Sequence, residues 1–263
     1  MKASVISLGW HTIKKATYGY SVGIAAYILF LAWVYPSIST NPAVTRLLSS
    51  LPPALLKLAG ISSNFSTYTG YLSSEFYSVI DIWIIMWFVT MEAMALVGTP
   101  RQNHSLQWWL SSPISRSTWM LGQFLALALA LVFLTGATMA SEILGAWWFN
   151  GGHLNWSGMI WLNVVALLIG LLIAGYSMVF LAWLPKVTWP LTVTLIFYAM
   201  NLVGGMTPHL GFLSNLSIFG VYQPSLIAEG AVPTLTAILG FILGSAILAW
   251  FSSAVFARQD LAL

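Results

Sequence analysis

The chain of 263 residues has no cysteine, which excludes a disulfide framework, a CxxC metal or redox site and a thiol nucleophile. Charge is nearly as scarce. Lys and Arg number nine and Asp and Glu six, together 6% of the residues, against about 25% in an ordinary soluble domain. So few charged side chains cannot hydrate the surface of a soluble protein this long. The G-x-x-x-x-G-K-[ST] phosphate loop is missing as well, so the chain does not bind ATP that way. Neither H-E-x-x-H nor G-x-S-x-G occurs, which argues against zinc and serine protease chemistry. The four histidines, His11, His104, His153 and His209, avoid the middle of every apolar run, so no axial haem pair is available. No catalytic residue and no metal ligand is expected in this chain.

What is abundant is hydrophobic surface, 59% of the residues. An all-α integral membrane protein follows, because helices satisfy their own backbone in lipid. Charge gaps and turn signals predict six spans, at about 18–35, 78–98, 118–140, 159–184, 188–203 and 232–256. Pro36-Ser37, Asn150-Gly151-Gly152, Pro185-Lys186 and Gly204-Gly205 delimit them. Residues 37–77, rich in Pro, Gly, Ser and Thr, read as a loop with a short interfacial helix over 54–59. Residues 207–230, apolar but broken by Gly211, Gly220 and Pro224, read as short re-entrant or interfacial helices before the last span. The first span is expected to serve as its own targeting signal.

Orientation follows from the basic residues. With the N-terminus inside, Lys2, Lys14, Lys15, Arg101, Arg116, Lys186 and Arg258 are cytoplasmic, and only Arg46 and Lys57 lie outside. Both termini are then cytoplasmic, and Glu75, Glu142 and Glu229 fall in outer connections. Fourteen Trp and ten Tyr fit aromatic belts at the two interfaces; an amphiphilic substrate would account for part of them equally well. The scattered basic residues give no nucleic-acid footprint, and membrane lipids are the expected surroundings.

Two cytoplasmic segments stand out. Ile6, Trp10, Ile13 and Thr17 recur at helical spacing ahead of span one, an amphipathic stretch suited to the inner leaflet. Between spans two and three, Leu106, Trp109 and Leu110 share one face of a short helix that Ser112-Pro113 stops. Within the spans, Glu92 lies about 9 Å from the end at Gly98, where a charge needs a partner or water. Asp81, near the outer end, is expected to be hydrated. Asn163, Thr192, Thr194 and Asn201 are candidate pore-lining residues, or else helix–helix glue worth about 0.6 kcal/mol each.

Several stretches resemble the permeases of type-2 ABC exporters. Glu92 is followed by Ser105-Leu106-Gln107-Trp108-Trp109-Leu110-Ser111-Ser112-Pro113-Ile114-Ser115-Arg116 and then Leu121-Gly122-Gln123. Leu216-Ser217-Ile218-Phe219 with Tyr222-Gln223-Pro224 precedes the last span, and Phe256-Ala257-Arg258-Gln259-Asp260-Leu261 closes the chain. Gln107, Gln123, Ile218 and Gln259 depart from the family pattern. The resemblance covers nearly the whole chain and implies a single permease domain over residues 1–263. Such a domain is half of a plasma-membrane transporter pore, paired with a second copy or a paralogue. It docks on two separate ABC ATPase subunits that carry ATP and Mg, with no cofactor of its own.

The resemblance further implies that Leu106, Trp109, Leu110, Ser112, Pro113 and Arg116 couple to the ATPase, with interfacial anchoring the other reading of Trp109. The amphipathic N-terminal stretch resembles the family's connector helix. Lys14 or Lys15 would then latch onto Glu92. A membrane-embedded binding, assembly or immunity component that moves nothing would share all these features.

Overall fold

The computed structural model describes residues 2–39, 41, 46, 50, 65–106, 114–149, 154–206 and 208–259. Among them all regular structure is helical, and six helices are long and apolar enough to cross a membrane. Spans one to six are Val5–Ser39, Ile80–Gln102, Arg116–Trp148, Trp156–Trp183, Thr188–Met206 and Leu235–Arg258.

Both ends of the described chain lie on one side, the terminus side. Arg116, opening span three, donates to the carbonyl of Gln259, just past span six, at 2.6 Å. Trp119 stacks on Phe256 with ring centroids 5.3 Å apart. Spans one and three run parallel, their seam kept narrow by glycine. A Cβ on Gly122 would come within 2.4 Å of Val5, and one on Gly145 within 2.7 Å of Ala32. Exposed tryptophans ring both levels: Trp33, Trp147, Trp148 and Trp156 on the far side, Trp183 and Trp189 on the terminus side. Trp83, Trp87 and Trp250 are exposed part-way along spans two and six, away from those two levels.

The amphipathic N-terminal stretch forms the opening turns of the same helix as span one. The helix runs from Lys2 to Ser39 with its one proline, Pro36, close to the end, so nothing separates the two segments. Ile13 and Thr17 are buried while His11 and Lys15 are exposed.

Two expectations are corrected on the far side. Residues 68–77, read as loop, form a helix over Tyr68–Leu72 that Thr67 caps, continued by a π-turn over Ser73–Tyr77. Tyr68, Tyr71, Leu72 and Phe76 point inward, a helical spacing that the surrounding Ser and Gly obscure. Tyr35 of span one anchors this piece, its ring 5.4 Å from Tyr68 and 5.5 Å from Tyr71. Val79 then leaves helical geometry at φ −133°, and span two begins. The second correction concerns span three, which extends to Trp148. Glu142 therefore lies inside the span, not in an outer connection. The helix-forming run Ala140–Trp148 contains no Pro, and its one glycine, Gly145, is tolerated because it packs against Ala32 and Tyr68.

Span four is the hub, touching spans two, three, five and six. Between spans five and six lie the expected short helices: Pro208–Leu210, Gly211–Leu216, Ile218–Val221 and Pro224–Ala228. Ser217 Oγ ties them to span five by donating to the Phe197 carbonyl at 2.6 Å. The expected short helix over 54–59 lies outside the described residues.

Candidate functional site

Carboxylates within membrane-crossing helices cost several kcal/mol unless partnered, and therefore mark functional sites by default. Spans two and three carry three: Asp81, Glu92 and Glu142. Each of the far-side pair has its own hydroxyl donor. Glu142, six residues before the end of span three and thus about 9 Å inside it, is wholly buried. Tyr77 donates its hydroxyl to Glu142 Oε1. Asn163 of span four donates from Nδ2 to Glu142 Oε2 at 3.1 Å and to the Tyr77 oxygen at 2.7 Å. Tyr68 donates to the backbone carbonyl of Glu142 at 3.1 Å. Asp81 is buried too, so the expectation that it is hydrated is corrected. Tyr222, from the short helices before span six, covers it and donates to Oδ2 at 2.7 Å.

The two phenols are held in their donor form. Burial pushes Tyr77 well above the ordinary tyrosine range, and the charges of Glu142 and Asp81 push it further. Burial and then Asp81 act in the same direction on Tyr222. Each carboxylate therefore keeps a neutral hydroxyl donor beside it across the accessible pH range. One cluster ties the helical piece ahead of span two to spans three and four, and the separate Asp81–Tyr222 pair ties span two to the short helices.

A cavity of about 440 Å³ opens beside it, between span two, span five and the short helices. Ser78, Asn201, Ser214 and Gln223 offer hydrogen-bonding groups to it; Val79, Ile82 and Leu226 supply apolar wall. Tyr222 is the partition, facing the cavity while bonded to Asp81 behind it. Asn201 accepts from Ser214 at 2.9 Å, bracing span five against the short helix at that wall.

Of the four polar candidates, Asn163 joins the carboxylate network and Asn201 lines the cavity. Thr194 is buried, bonded to Tyr176 and donating to the Pro190 carbonyl at 2.7 Å. Thr192 is exposed on span five. The structure does not bring Lys14 or Lys15 to Glu92. Lys14 Nζ lies 2.8 Å from His11 Nδ1 and Lys15 is exposed. Glu92 is buried and faces Tyr20 of span one, whose ring packs 5.2 Å from Phe88.

On the terminus side Leu106 is buried and Arg116 holds Gln259 as described. Trp109, Leu110, Ser112 and Pro113 lie outside the described residues. The strongest contact there was not foreseen. Arg101 donates to the carbonyls of Leu181, at 2.7 Å, and Ala182, and Gln102 donates to the Pro185 carbonyl at 2.6 Å. A cation thus satisfies the last carbonyls of span four, where the helix dipole favours positive charge.

No family model matches this chain, and no curated protein matches it. The chain is a multi-spanning membrane protein whose architecture is consistent with a transport role.

Proposed function

We propose that the chain is the transmembrane half of an ATP-driven exporter of the type-2 ABC class. It works in the plasma membrane with both termini cytoplasmic, paired with a second copy or a paralogue, and ATP is hydrolysed by two separate ABC ATPase subunits. The observation that carries this reading is an arrangement. Six spans bring both chain ends to one side, short helices fill the connection between spans five and six, and the connection between spans two and three is flanked by Arg101 and Arg116. Those flanks grip the ends of spans four and six through backbone carbonyls, so a partner pressing on this connection displaces helices rather than a loose loop. Leu106, Trp109, Leu110, Ser112, Pro113 and Arg116 form the coupling surface in this reading, with Trp109 supplying buried aromatic area.

Gentle extraction from the native membrane followed by intact-complex mass spectrometry tests it. Two permease chains with two ATPase chains is the expected composition, and Trp109→Ala releases the ATPase or uncouples its hydrolysis. A chain that emerges repeatedly alone from intact membranes overturns the exporter reading in favour of a stand-alone membrane binding component.

A further inference from the structure

Basic groups gather on the opening turns of span one. His11 and Lys15 are exposed there and Lys14 is half-buried between them. Lys14 Nζ donates to His11 Nδ1 at 2.8 Å, and an imidazole nitrogen that accepts a hydrogen bond brings no compensating negative charge. Among the described residues no carboxylate pairs with any of the three. Asp81, Glu92 and Glu142 are buried elsewhere, Glu75 lies with Tyr27 and Tyr71, and Glu229 ends the helix Pro224–Ala228. Exposed ammonium groups do not face hydrocarbon, so this cluster marks the headgroup level of the terminus side.

A groove of about 560 Å³ runs beside the cluster, between spans one and three. Ser7 and Trp10 line it from span one. Lys14 follows them by seven and four residues, and therefore stands on the same face of the helix. Leu129, Val132 and Phe133 form the facing wall on span three, and all three are exposed. Phe133 packs 5.3 Å from Tyr18, so the wall extends one helical turn past Lys14 towards the middle of the bundle. Beyond it the exposed face of span one continues apolar at Val22. A cationic edge thus leads into an apolar trough, the polarity order of a phospholipid.

We infer that this groove is a binding site for an anionic phospholipid, its phosphate held at Lys14 with Lys15 adding charge, and one acyl chain laid along Leu129, Val132 and Phe133. Charge complementarity selects that occupant. A soluble anion leaves the apolar wall uncovered, and a zwitterionic lipid brings a second cation to a cluster that already has too many. The inference goes beyond the exporter reading, since binding requires neither an ATPase nor transport.

The test is native mass spectrometry of the purified full chain in detergent, titrated with dioleoylphosphatidylglycerol or dioleoylphosphatidylcholine, with inorganic phosphate as competitor. The expected result is phosphatidylglycerol bound about tenfold more tightly than phosphatidylcholine and not displaced by phosphate. Lys14→Gln combined with Lys15→Gln should make the two lipids equal, and Lys14→Arg combined with Lys15→Arg should keep the preference. Val132 is 52% exposed, so Val132→Trp fills the groove without entering the packed core and should weaken both lipids while the charges stay in place. Equal affinity of the two lipids for the native chain overturns the proposal. So does a preference that survives the paired Gln substitutions, binding unchanged in Val132→Trp, or full displacement by inorganic phosphate. Measurement on the isolated chain keeps its failure distinct from that of the exporter reading, which ATPase copurification decides.

Discussion

The hydroxyl of Tyr77 and the carboxylate of Glu142 meet inside the membrane-crossing bundle although 65 residues separate them in sequence. Their contact fastens the helical piece ahead of span two to span three, with Asn163 of span four bonded to both. Tyr77→Phe keeps the ring's packing and removes the donor. It should lower stability by about 1–3 kcal/mol, the range for a buried polar group left unsatisfied. Adding Glu142→Gln should cost less than the sum of the two single changes, as a double-mutant cycle in unfolding from detergent would read. Additive losses would mean that the two groups do not act together.

Arg101 offers a second measurable link. Its Nη1 serves two carbonyls at the end of span four, at a reach and in a planar orientation that an ammonium on a shorter stem does not reproduce. Arg101→Lys and Arg101→Ala should both speed hydrogen exchange at residues 181–184, with Lys recovering less than half of the protection. Protection equal to that of the native chain in either variant refutes the cap.

Adjacent glycines in span five should behave oppositely. A Cβ on Gly204 would approach the Ser214 backbone nitrogen at 2.4 Å, whereas one on Gly205 meets open space. Gly204→Ala forces the short helix away from span five and should destabilise by about 1–3 kcal/mol, as overpacking does. Gly205→Ala should be neutral or stabilising by up to about 1 kcal/mol through helix propensity. Thermal unfolding of the two variants side by side checks the contrast.

Sequence alone revealed the spans because hydrocarbon thickness dictates their length and turn residues delimit them. It also located the short helices before span six through Gly211, Gly220 and Pro224. The carboxylate network was harder to see. Tyr68 and Tyr77 sit among Ser, Thr and Gly, and their inward face shows only once the π-turn at Ser73–Tyr77 is counted. Glu142 looked like a boundary because a lone acid usually ends an apolar run; its partners Tyr77 and Asn163 come from other helices, which periodicity does not register. Asn163 and Asn201 were recognisable as polar residues within spans, but which of them bonds a carboxylate and which borders open space is decided by tertiary packing. The Glu92 latch does not show in this structure, where Tyr20 stands near that carboxylate and Lys14 beside His11.

The paired guanidinium contacts have a mechanical consequence. Arg101 and Arg116 bracket a stretch of fourteen intervening positions, and each is fastened to the end of a different helix, span four on one flank and span six on the other. A pull on that stretch is divided among four rods at once: the two it connects and the two it is stapled to. Its two flanks are therefore tied to most of the bundle, so a load reaching Arg101 and Arg116 is shared by four helices instead of two.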